Sequence, residues 1–98
     1  MDQEFVKSIG NIHRHLAQQA LLILEPEVER IISTKSRDTN AIENALDALC
    51  DVAYDAEVLL LFKKLCRYYN TIDPQATIEQ IQFYRYLWEG ESLKKRIR

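Results

Sequence analysis

The stretch VLLLFKKLCRYY, Val58 to Tyr69, decides how the chain folds. It is the most apolar dozen residues in the sequence. At about 100° per residue, Val58, Leu61, Phe62, Leu65 and Tyr69, continued by Ile72, fall on one face, with Leu59, Cys66 and Tyr68 flanking them. Lys63, Lys64 and Arg67 gather on the other side around a single apolar residue, Leu60. A face this broad needs cover from several neighbours, so the stretch is expected to be the central and most buried helix of a bundle. Asp55, just upstream, is its natural N-cap.

Working outward, the turn chemistry supports a helical architecture. Among 98 residues there are only two Gly and two Pro. That scarcity, with many Ala, Leu, Ile, Glu and Gln, favours helices joined by short connections over strands. The expected fold class is all-α: a small helical bundle of four main helices, the first long and kinked or broken at Pro26. Residues 1–90 form a single domain, and residues 91–98 a basic C-terminal tail. A chain this short buries only roughly 60–65% of its unfolded surface, which implies modest stability for a monomer.

The first helix is read from Asp2 to Leu24. Phe5, Ile9, Ile12, Leu16, Ala20 and Ile23 share an arc of about 80°, opposite Lys7, Asn11, Arg14, Gln18 and Glu25. This arc is the expected core face. Leu21 to Leu24 is apolar nearly all round, which requires cover on several sides or a second interface. Pro26 then either kinks the helix or opens a short new one that runs to Thr34 and buries Val28, Ile31 and Ile32. The polar run Ser33 to Thr39 is a loop. Asn40, with Glu43 three residues on, has capping-box spacing and is expected to open the second helix. That helix would carry Ile42, Ala45, Leu46, Leu49, Val52 and Ala53 inward. Asp73-Pro74 is an acidic N-cap followed by Pro at the first helical position, and it starts the fourth helix, which stops at Gly90.

Composition argues against several functions. A net charge of −2 does not mark a general nucleic-acid or membrane binder. No apolar run exceeds about five residues, against the ~20 that span a bilayer. MDQEFVKSIG lacks the basic and apolar regions of a secretory signal, so a cytoplasmic location without membrane contact is expected. Cys50 and Cys66 make no disulfide framework and read as buried, reduced thiols. His13 and His15 point about 200° apart on one helix and cannot share an ion, so no metal and no cofactor are expected. His13 lies on the apolar side of its helix and is expected to be half-buried and hydrogen-bonded. There is no Gly-rich phosphate loop and no nucleophile beside a base, so no enzymatic activity is expected.

Three surfaces remain as candidates for partner binding. Glu43, Asp47 and Asp51 form an acidic ridge at i, i+4, i+8 on the second helix, where like charges cost a few tenths of a kcal/mol per pair. Such a ridge is either a solvated face or a dock for a basic partner. Leu60, Lys63, Lys64 and Arg67 form its basic counterpart, which is either solvated, with Lys stems covering Leu60, or in contact with the acidic ridge of a second copy. The fourth helix is apolar over about 200°, twice the usual arc. Phe83, Tyr84, Tyr86 and Trp88, with Arg85, are residue types enriched at protein–protein hot spots. They pack between two neighbours or face a partner.

The expected function is therefore a small non-enzymatic protein–protein interaction module, an adaptor, inhibitor or antitoxin-like binder, homodimeric and regulatory. The alternative is a nucleic-acid-associated regulator that uses the basic tail, Lys94, Lys95, Arg96 and Arg98, with the cations of the third helix. A helix-turn-helix reading fails, because the third helix opens with Ala56-Glu57-Val58-Leu59-Leu60 where a recognition helix needs polar side chains.

Overall fold

In the computed structural model, which describes residues 3–90 and side chains from residue 12, the chain forms four helices: α1 (Gln3–Ser33), α2 (Thr39–Asp51), α3 (Ala56–Asn70) and α4 (Pro74–Trp88). No strand occurs among the described residues. α3 is central: it packs on α1, α2 and α4, and α2 packs on all three others. α1 and α4 share no packed segment among the described residues. The Val58–Tyr69 face is the core of the molecule as its periodicity predicts, with Val58, Leu61, Phe62, Leu65, Cys66 and Tyr69 buried and Ile72 half-buried. α2 contributes Ile42, Ala45, Leu46, Leu49 and Cys50.

The helix ends are set by local chemistry. The Asp55 carboxylate accepts from the amides of Glu57 and Val58 at 3.0 and 3.2 Å, capping α3 as expected. Asp73 caps α4 through the Ala76 amide at 3.0 Å, with Pro74 at the first turn. Gly90 ends that helix at φ 64°, its amide bonding the Arg85 carbonyl at 2.8 Å. The cap of α2 is Asp38, whose carboxylate accepts from the Ala41 amide at 3.2 Å. Asn40 is already inside the helix, so the capping box read at Asn40 and Glu43 does not form. An ionised Asp two residues upstream offers the better acceptor for the free amides and their dipole. α1 closes with the Ser36 amide on the Ile31 carbonyl at 2.9 Å and Lys35 in the left-handed region, φ 52°, a place usually given to Gly.

Two expectations for α1 need correction. The helix is not broken at Pro26: it runs unbroken from Gln3 to Ser33. Pro26 leaves the Leu22 carbonyl without its amide partner, at about 3 kcal/mol in a helix interior. Pro26 and Leu22 are both exposed, while Val28 and Ile31 beyond the proline are fully buried and anchor the helix on the core. The second correction concerns the face. The core stripe is Ala17, Leu21, Leu24, Val28, Ile31 and Ile32. Ile12, Leu16 and Ile23, expected inside, are 57%, 49% and 73% exposed. Their arc lies about 120° around the helix from the core stripe.

Length explains why the better-formed stripe stays outside. The 31 residues of α1 reach about 46 Å, whereas α2 to α4, of 13 to 15 residues, reach about 20–23 Å. No neighbour is long enough to cover α1, and the first buried α1 residue with a described side chain is Ala17. The whole molecule is a slab of 48 × 41 × 17 Å with a radius of gyration of 15.3 Å, against about 13 Å for a compact chain of this size.

Candidate functional site

α3 and α4 diverge enough to leave a groove of about 640 Å³ between them. Its floor is Phe62 and Tyr84, whose rings pack at 5.5 Å, with Leu59 and Cys66 beside them. Ile78 and Ile81 of α4, 47% and 39% exposed, form one wall. Lys63 and Arg67 stand on the α3 rim, and Arg85 faces them from α4, where it pairs with Glu89 at 3.2 Å. This is an apolar trough with a mainly basic edge, built by helix spacing: Ile78, Ile81 and Arg85 follow one another at i, i+3 and i+7.

The basic strip read from the sequence is divided by this arrangement. Lys63 and Arg67 turn to the groove. Lys64 turns the other way and pairs with Glu29 of α1. Leu60, 66% exposed, lies on the Lys64 side in a shallow recess with Glu25, Glu29 and Glu57. The acidic ridge is divided too. Glu43 is half-buried and accepts the Tyr69 hydroxyl at 2.5 Å, which leaves Asp47 and Asp51 as the exposed pair. Burial of Tyr69, and then this carboxylate, raise the phenol well above its ordinary range.

The aromatic residues of α4 have three different positions. Tyr84 is on the groove floor. Trp88 is tied down: its Nε1 donates to the Cys50 carbonyl at 2.8 Å, and its ring meets Tyr54 edge-on at 5.9 Å. Phe83 and Tyr86, 47% and 43% exposed, lie outside the groove with Leu87 at 43%. The full set of residues picked from the sequence therefore does not form one site. Lys63, Arg67, Tyr84 and Arg85 come together, and the others are distributed over the rest of the surface.

Two features lie outside that set. One is the exposed stripe of α1, joined by Leu22 at 78% exposure. Its signal was the apolar run Leu21 to Leu24, too broad for one interface. The other is Tyr54, in the short turn between α2 and α3. Its hydroxyl donates to the His13 carbonyl at 2.7 Å, and its ring packs on the His13 imidazole at 5.4 Å. His13 itself is exposed, not half-buried. A lone aromatic in a turn has no periodicity to announce it.

Cys50 and Cys66 are buried and free of disulfide. Burial pushes the Cys66 thiol up to about 11 and raises Cys50, with Asp51 and Asp47 adding to the latter, so neither is a thiolate at neutral pH. Among the described residues no cluster of three or more His, Cys, Asp or Glu could hold a metal ion. Among them, too, no helix is long and apolar enough to cross a membrane. The basic tail lies outside the described residues. Comparisons with protein-family models, with curated proteins and with solved structures return no match for this chain.

Proposed function

We propose that the chain is a non-enzymatic protein–protein interaction module, homodimeric, whose α3–α4 groove takes an amphipathic helix from a partner. The observation that carries this reading is the set of large apolar side chains left open on two separate faces, Ile78 and Ile81 at the groove and Ile12, Leu16, Leu22 and Ile23 on α1. Exposed apolar patches beyond a few hundred Å² mark interaction surfaces. The groove's chemistry defines its guest: apolar anchors at i, i+3/i+4 and i+7 to meet Ile78 and Ile81, with acidic residues beside them to meet Lys63 and Arg67. The acidic pair Asp47 and Asp51 lies on another helix and would repel the same flank.

The test is co-purification from the native host, comparing the native chain with Ile81→Lys. Ile81 is exposed in the groove wall, so the substitution leaves the core intact. A specific partner is expected to co-elute with the native chain and to be lost with Ile81→Lys. A partner retained equally by both sinks the groove reading, and nothing co-eluting with a monomeric protein sinks the interaction-module reading.

A further inference from the structure

The α3–α4 groove has polar ends and an apolar middle. The two helices are joined by a short turn and run antiparallel, with Phe62 against Tyr84 fixing their register. Asn70 therefore marks the end beside the connection, and Arg85 with Glu89 the end beside Leu59. Between these ends the lining is apolar, with Phe62, Cys66, Ile78, Ile81 and Tyr84. Leu59 to Asn70 is about 16 Å of helix, the extended length of about a dozen methylene carbons. Lys63 and Arg67 stand on the rim of this middle section, one helical turn apart and both exposed. Neither enters an ion pair among the described residues. Two like charges at i and i+4 repel each other, at a cost of a few tenths of a kcal/mol.

We infer that the groove also binds a free single-chain carboxylate of about a dozen carbons, its head on Lys63 and Arg67 and its chain along the trough. The inference rests on the groove being the binding site proposed above, and it adds a regulator. The anion and the partner helix need the same side chains, so each excludes the other.

Charge, size and the nature of the ends favour this ligand. A carboxylate has two oxygens and can bridge cations that share a helix face, which removes their repulsion and makes two charge-assisted bonds. A cationic amphiphile of the same length meets the rim with the wrong sign. The volume, about 640 Å³, falls within the roughly 300–1,000 Å³ of small-molecule sites. Such sites are mostly apolar with a few polar groups that fix orientation, as Lys63 and Arg67 do here. The ends limit the ligand: Glu89 repels a polyanion that would run the length of the groove, and Asn70 ends the apolar section. One negative charge on one apolar chain is what the lining matches.

The experiment is calorimetric titration of the full chain with dodecanoate up to ~1 mM. Decanoate and dodecyltrimethylammonium are the comparison ligands, vesicles of phosphatidylglycerol are a separate arm, and circular dichroism is the folding control. Dodecanoate is expected to bind at about one per chain with a Kd of ~10–300 μM. Decanoate should bind roughly 4- to 15-fold more weakly, for two methylenes fewer in the trough. The cationic amphiphile should bind at least ~10-fold more weakly than dodecanoate. The double variant Lys63→Gln/Arg67→Gln should keep its helicity and lose at least ~10-fold in dodecanoate affinity. Lys64→Gln removes a similar charge from the other flank of α3 and should stay within ~2-fold of the native chain. No binding up to ~1 mM overturns the proposal. Equal binding of the cationic amphiphile overturns it too, as does an affinity that the double variant keeps or that Lys64→Gln lowers as much. Binding to the vesicles without binding to dodecanoate overturns it and makes the basic edge a membrane contact. The titration contains no partner protein, so its failure leaves the helix reading to co-purification, and a failed co-purification leaves the titration to be read by itself.

Discussion

Replacing Tyr69 with phenylalanine deletes one oxygen from the centre of the fold. Tyr69 is fully buried, and its hydroxyl is the donor to Glu43 at 2.5 Å. A hydrogen bond to a charged acceptor contributes about 1.5–3 kcal/mol. Glu43 is only half-buried, so once its donor is gone it can turn towards water and recover part of that loss. The lower end of the range applies, and Tyr69→Phe should cost about 1.5 kcal/mol, or roughly 6–12 °C in melting temperature for a chain of this size. Urea denaturation followed by circular dichroism measures it, with Glu43→Ala and the double variant completing a thermodynamic cycle. The coupling should be at least about 1 kcal/mol, since neither single variant retains the bond. A loss below about 0.5 kcal/mol, or fully additive single variants, refutes the reasoning. It would return Glu43 to the acidic ridge as a free surface charge.

Three further outcomes follow from the same structure. Lys35→Gly should stabilise the chain by about 0.5–1 kcal/mol, because a left-handed φ at a residue with a Cβ costs more than glycine's extra chain entropy there; unchanged or lower stability in denaturant would contradict it. Alkaline pH should destabilise the fold: the Cys66 thiol is raised from 9.0 to about 11 on folding, so its share, of order 2–3 kcal/mol, is present below about pH 9 and is lost as pH rises to about 11. Cys66→Ala should flatten that decline between pH 8 and 10.5 without abolishing it, since Tyr69 is raised in the same direction. Tyr54→Ala should red-shift the emission of Trp88, the sole tryptophan, and speed amide exchange in α1 near His13, at about 1–2 kcal/mol of stability. An unshifted emission maximum would show that Trp88 does not depend on the Tyr54 ring.

The sequence was most legible where one helix had a single role. α3 is enclosed by three neighbours, so its periodicity and its burial coincide, and the Asp55 and Asp73-Pro74 signals needed only local chemistry. α1 was misread because it carries two apolar lines, one buried and one exposed. Its cleaner stripe is exposed where its side chains are described, at Ile12, Leu16 and Ile23, while its core stripe starts with a modest alanine at position 17 and crosses Pro26. A local proline rule gave way there to the burial of Val28 and Ile31. The candidate surfaces were legible as chemistry but not as places. Helical spacing put Lys63 and Lys64 side by side, yet one faces the groove and the other is held by Glu29 from a helix 35 residues distant in sequence. Which side of α3 each neighbour takes is a tertiary fact that no single-helix wheel contains.

The turn residue Tyr54 touches both outer helices, holding the His13 carbonyl of α1 with its hydroxyl and the indole of Trp88 with its ring. Trp88 belongs to the helix that walls the groove, and His13 borders the open line of α1. Any displacement of α4 by a guest in the groove is therefore felt by the same ring that steadies the overhanging half of α1. Linkage makes such an effect mutual: whatever factor groove occupancy applies to self-association, self-association applies to groove affinity. Titrating a groove ligand against the native chain and against Tyr54→Ala would read that factor directly, and in the variant it should collapse towards one.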